Sequence, residues 1–166
     1  MKFRSSAIVF LIVVAAVVLQ TTLFGTIRVI TPDLVLLVSI LFALTRIKPE
    51  LILAITFSAG LMVDLIGSSL LGLRAIVFTS AAYIAIRTRE RADIGRIATA
   101  LWAGALTLIG VLLLVLLGTL FGQSTLLGEH VFSRLITIPL ANMVLAFLIA
   151  PILVRVVDQD PAALRY

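Results

Sequence analysis

The sequence predicts an all-α polytopic membrane protein, one membrane-embedded helical bundle with six transmembrane helices, and three observations lead there. First, 62% of the 166 residues are hydrophobic and 13% are charged, against roughly 45–50% and about 25% in an ordinary soluble domain. With a mean hydropathy of +1.27, too little polar surface exists to cover a globule of this size. Second, the apolar residues fall into runs on the scale of the about 20 residues that a helix rising 1.5 Å per residue needs to cross hydrocarbon. Third, the basic residues stand in short clusters between those runs, as they do where Lys and Arg set membrane orientation. A water-soluble monomer and an intrinsically disordered chain are both excluded. A net charge of +5 distributed in this way speaks for topology and against a nucleic-acid partner.

The first run, 5–24, follows Lys2 and Arg4 and looks at first like a signal sequence. Its apolar stretch is too long for that, no A-x-A site follows, and more spans come after it. It reads as a retained first helix. The second run, 32–45, opens on Thr31-Pro32-Asp33, with Thr31 suited to the N-cap, Pro32 to N1 and Asp33 to the positive helix end. Beyond Arg46-Ile47-Lys48-Pro49-Glu50 comes the third run, 51–66. The break Gly67-Ser68-Ser69-Leu70-Leu71-Gly72 leads into the fourth, 73–86. A strongly polar segment, 87–96, precedes the fifth run, 97–121, which is long enough to span with tilt. Residues 122–130 form a polar loop, and the sixth run, 131–154, ends in a polar tail. Lipid-spanning strands would be about ten residues with alternating polarity, and nothing here alternates. The three central runs are shorter than a full span, so they are expected to begin or end in protein-lined surroundings.

Six alternating helices with an inner N-terminus place Lys2, Arg4, Arg46, Lys48, Arg87, Arg89, Arg91, Arg96, Arg155 and Arg165 inside, and Arg28, Arg74 and Arg134 outside. That ten-to-three bias puts both termini in the cytoplasm, and a missed helix would destroy it.

Few residues inside the runs carry chemistry. Asp64 lies about one turn from the outer end of its run, where a charge needs a partner, water or a proton. Arg74, just across a tight connection, is the natural partner. The two readings are a relay or ion site, and a buried pair that fixes the hairpin of helices 3 and 4. The second is favoured because a proton path would need more than one acid. In the last run Pro139 removes an intrahelical hydrogen bond and is expected to kink the helix. Asn142 beside it suits either a substrate site or a bond to a neighbouring helix, with packing favoured. Small residues recur at four-residue spacing in Ala100 and Gly104, Gly118 and Gly122, and Ala146 and Ala150, and permit close helix approach. His130, after Glu129, reads as a solvated loop residue. The basic 87–93 segment is topogenic, and can rest on anionic lipid or dock a cytoplasmic protein. With no cysteine, one histidine, no phosphate loop and no Ser/His/Asp arrangement, neither an enzyme nor a metal or cofactor site is expected.

Three stretches carry a resemblance that covers most of the chain. They are Leu19-Gln20-Thr21-Thr22-Leu23-Phe24, then Thr31-Pro32-Asp33-Leu34, then Gly60-Leu61-Met62-Val63-Asp64-Leu65 through Leu71-Gly72-Leu73-Arg74-Ala75. On these the chain resembles the bacterial rod shape-determining MreD family, whose pattern in the third stretch is a Gly, an Asp and a Gly-Leu-x-Ala helix start. Many members have an uncharged polar residue where this chain has Arg74. The resemblance implies a non-enzymatic scaffold of the cell-wall elongation machinery, multi-pass in the bacterial plasma membrane. It implies a fold similar to the substrate-binding subunits of energy-coupling-factor transporters. The implied partners are MreC, RodA with its penicillin-binding transpeptidase, MreB and membrane lipids. The candidate structural or partner-contact residues are Pro32, Asp33, Asp64, Gly72, Arg74, Pro139 and Asn142.

Two other classes compete. A vitamin- or metal-binding transporter subunit would carry an Ala-x-x-x-Ala motif on its first helix. Here Ala7, Ala15 and Ala16 have the wrong spacing, and the outer side lacks a polar cluster for a charged solute. A holin-like pore-former usually has fewer helices.

Overall fold

Eleven consecutive residues, LVLLVSILFAL, form a helix with no polar face, and a helix that is apolar all round belongs in the middle of a bundle. The computed structural model, which describes residues 2–23, 32–45, 47–67, 70–92, 95–123 and 131–158, places it there. This is α2 (Leu34–Leu44), with every residue from Val35 to Ala43 buried. Around it lie α1 (Lys2–Leu23), α3 (Pro49–Ile66), α4 (Leu73–Ala92), α5 (Arg96–Leu120) and α6 (Val131–Asp158), each neighbouring the next in that order and all touching α2. The described residues contain no strand.

At 1.5 Å per residue α2 is about 16 Å long, roughly half the thickness of a bilayer's hydrocarbon core. Its ends, Asp33 and Thr45, are buried, so the backbone groups left over at each terminus need partners from the protein itself. At the N-terminus the Asp33 side chain accepts from the Leu36 N–H at 3.1 Å. The Asp33 carbonyl accepts from Leu37 at 2.9 Å. Gln20 of α1 accepts from the Val35 N–H at 3.0 Å. At the C-terminus the Phe42 carbonyl accepts from both the Thr45 N–H, at 3.0 Å, and the Thr45 hydroxyl, at 2.6 Å. The Thr45 carbonyl in turn accepts from Arg89 Nη1 of α4 at 3.2 Å, a cation at a helix C-terminus.

Several boundaries differ from the sequence expectation. Asp33 itself is the N-cap of α2, and the helix begins two residues later than Pro32; Thr31, expected as the cap, lies outside the described residues. Helix α3 starts on Pro49 and Glu50, since Pro fits N1 and an acid suits the first turn. The largest difference is α4. Residues 87–92 are not a loop but the last turns of a helix that was expected to end at 86. They hold neither Gly nor Pro, Arg is a good helix former, and tertiary bonds tie this end down. Trp102 Nε1 of α5 donates to the Thr88 hydroxyl at 2.8 Å, and Arg89 reaches Thr45. Gly122 lies past the end of α5 with φ +80°, so it forms no helix-packing pair with Gly118. Helix α6 runs continuously through both Pro139 and Pro151.

Among the described residues three helices are long and apolar enough to cross a membrane: Pro49–Ile66, Arg96–Leu120 and Val131–Leu153. Two shorter apolar helical stretches are Val9–Thr22 and Leu34–Leu44. Large apolar side chains such as Leu11, Leu116, Phe132 and Ile152 point away from the core with more than half their surface exposed. That is the inverse of a soluble protein's exterior.

Candidate functional site

The buried acids Asp33 and Asp64 lie at the end where α3 gives way to α4. Asp64 sits in the last turns of α3, 2% exposed. Among the described residues it bonds to backbone: Oδ2 accepts from the Gly72 N–H and from the Arg74 N–H, both at 2.9 Å. The side chain thus caps the start of α4 from a different helix, satisfying donors left over there and placing negative charge at a positive helix end. The Arg74 guanidinium lies farther away, with Nε 3.8 Å from Asp64 Oδ1 and Nη1 3.8 Å from Asp33 Oδ2. These separations are ion pairs without hydrogen bonds. Arg74 therefore stands between two carboxylates and links the entrance of α2 to the exit of α3.

Each member of the Gly–Asp–Gly-Leu-x-Ala pattern has a physical reason here. Gly72 has φ +92°, a backbone state that costs other residues strain, and its N–H is aimed at Asp64. Gly60 permits the approach of α3 to α4: a Cβ at that position would lie 2.5 Å from Ala75 Cα and 2.6 Å from Ala75 N. Ala75, fully buried, keeps the facing surface of α4 low.

From Asp33 the polar chain continues across the bundle. Asn142 Nδ2 of α6 donates to the Asp33 carbonyl at 3.1 Å and to Thr107 Oγ1 of α5 at 3.3 Å. The Thr107 hydroxyl donates to the Ala103 carbonyl at 2.8 Å. Gln20 of α1 joins the same end of α2 separately, through the Val35 N–H.

Of the residues singled out from the sequence, Asp33, Asp64, Gly72, Arg74 and Asn142 meet in this polar chain. Pro32 is buried next to the Asp33 cap. Pro139 is not part of it. It lies about one turn before Asn142, buried where α6 meets α5, its carbonyl 3.5 Å from the position a Cβ on Gly104 would take. Arg134 is exposed. His130, Glu129, Arg28, Arg46, Ser68 and Ser69 lie outside the described residues. Gln20, Thr45, Arg89 and Thr107 were not assigned these roles from sequence. An amide within an apolar run, as at Gln20, is the signal that pointed to one of them.

The site is suited to holding helices in register. Among the described residues no three His, Cys, Asp or Glu side chains come close enough to hold a metal ion. Both acids face donors or a cation from neighbouring elements. Among the described residues two buried acceptors, Asn142 Oδ1 and Ser39 Oγ, have no hydrogen-bond partner. This bears on mutation. Asn142→Leu gives up two donor contacts but also removes an unsatisfied acceptor, so it is expected to cost only about 1 kcal/mol. A shift of thermal midpoint in detergent comparable to loss of Asp64 would contradict that.

A family model described as rod shape-determining protein MreD matches residues 1–158 of the chain. No curated protein and no solved structure matches it.

Proposed function

The chain belongs to the MreD family of rod shape-determining bacterial membrane proteins, and from that premise we propose that it is a non-enzymatic, six-span scaffold that holds MreC within the bilayer. The family match over residues 1–158 carries this reading. The bundle supports it physically, because polar contacts are spent inward on joining helices while the outward surface is hydrocarbon. Such a body offers partners a rigid apolar face, which suits the single membrane helix of MreC. RodA with its transpeptidase, and MreB at the cytoplasmic face, are the further partners of this assembly. In this reading α2 makes its crossing inside the protein, shielded from lipid by the other five helices. The architecture is then akin to that of energy-coupling-factor substrate-binding subunits, without a solute.

In this proposal both termini lie in the cytoplasm, on the ten-to-three bias of the basic residues. The test uses single cysteines, for which the cysteine-free chain gives no background. Cysteines replacing Ser69 and Ser124, which lie outside the described residues, are expected to react with an impermeant reagent from the outer side. One replacing the exposed Arg87 should react only from the inner side. Labelling of the Ser124 site from the cytoplasm alone would overturn the topology. For the scaffold role, the detergent-extracted chain is expected to co-purify with MreC in a stable complex. No complex, together with saturable uptake of a small solute into the purified protein, would favour a transporter subunit instead.

A further inference from the structure

We propose that the cleft between α5 and α6 binds one anionic phospholipid, with an acyl chain in the cleft and the headgroup phosphate on Arg96. The cleft has a volume of about 280 Å³, and its walls include Ile97 and Leu101 of α5 with Val144 and Phe147 of α6. Ala100, 5% exposed, also lines it and contributes only a methyl group, so a hollow remains where the two helices otherwise touch. The lining is hydrocarbon apart from the Met143 thioether. At one end the cleft runs into a second depression that shares Ile97 and Phe147 and adds Gly95, Arg96 and Ala98.

Arg96 is what specifies the occupant. It is exposed, and among the described residues no ion pair engages it. The cations on the neighbouring helix are engaged elsewhere, Arg89 on the Thr45 carbonyl and Arg87 over the Tyr83 ring, whereas Arg96 lines the depression at the mouth of the cleft. A cation at the mouth of an apolar cleft complements an amphiphile with a negative head and a hydrocarbon tail. Free phosphate would gain nothing from the cleft, and a zwitterionic lipid would gain little from the arginine. A partner helix, 10–12 Å across with its side chains, is too wide to enter a hollow between two helices in direct contact. The proposal rests on bilayer embedding of α5 and α6, and on neither the orientation nor the MreC assignment.

The full chain, purified in detergent and delipidated, would be titrated with phosphatidylglycerol or phosphatidylcholine of identical acyl chains and read by native mass spectrometry. One phosphatidylglycerol is expected to be held about fivefold more tightly than phosphatidylcholine, the effect of one arginine at an anionic headgroup. Arg96→Gln should abolish the preference while leaving the thermal midpoint of the lipid-free protein unchanged. Val144→Trp, at a position 58% exposed, should fill the cleft and weaken both lipids. Equal retention of the two lipids, a preference that survives Arg96→Gln, or equally tight binding of glycerol phosphate alone would overturn the proposal. So would Val144-dependent self-association, or Val144-dependent capture of a partner's membrane helix, since either gives the cleft to protein. MreC co-purification is read on separate samples, so loss of lipid preference with MreC still bound, or the reverse, tells the two proposals apart.

Discussion

Replacing Asp64 with Ala is expected to destabilise the folded protein by about 3–5 kcal/mol, the range for removing one partner of a buried charged pair. The yield of monodisperse protein in detergent should fall accordingly. Two losses combine. The Gly72 and Arg74 N–H groups lose their acceptor, and Arg74 keeps only Asp33 as a counter-charge, at 3.8 Å. The geometry ranks them. The backbone bonds are 2.9 Å long and shielded, whereas the guanidinium is 3.8 Å away on a side chain 29% exposed, where solvent weakens the attraction. Asp64→Asn keeps an acceptor oxygen for the two amides and is therefore expected to retain more than half of the stability that Ala removes. Equal losses for Asn and Ala would show that the ion pair dominates and that the cap does not.

Gly60→Ala is expected to be comparably severe, although it adds a single methyl group. Overpacking costs typically 1–3 kcal/mol, and here the obstruction is main chain. The new carbon would lie 2.5 Å from Ala75 Cα and 2.8 Å from the Arg74 carbonyl carbon. No rotamer relieves that, so α3 and α4 must separate, which puts the loss at about 3 kcal/mol or more. Separation also stretches the Asp64 bonds to Gly72 and Arg74, so the Gly60→Ala, Asp64→Ala double variant should lose less than the two single losses together. Gly104→Ala is the control, since its new carbon would meet Met143 Cβ at 3.1 Å, a contact relieved by a far smaller shift than the 2.5 Å overlap at Gly60, and it should be milder. Thermal midpoints of the four variants in one detergent decide the matter. Additive losses would mean that the close approach and the cap are independent.

The presence and order of the helices were legible because apolar run length and intervening charge are properties of the chain alone. Contacts between runs were less so. Asp64 was recognised as a buried acid needing a partner, and Arg74 was the evident cation. A carboxylate capping another helix through backbone amides leaves no sign in side-chain spacing, because every residue has an N–H. Gly60 illustrates the same limit, since a glycine in an apolar run looks like any small residue until the facing helix is known. The 87–92 segment was misjudged for another reason. Charge density was taken as the end of a helix, but arginine propensity and the bonds from Trp102 and Arg89 extend it. Asn142 was assigned to helix contact, yet its acceptor, the carbonyl of a residue 109 positions earlier in the chain, could not be read from sequence.

The enclosed half-length helix also constrains how the molecule is made. As the ribosome delivers the chain, α2 reaches the insertion machinery before Arg89 exists to cover the Thr45 carbonyl, and long before Asn142 exists to meet Asp33. Asp33, Gln20 and Thr45 can already cap the rest of α2, so until α4 arrives it is the Thr45 carbonyl that must find another donor. The contacts on α2 are therefore complete only once residue 142 has been made.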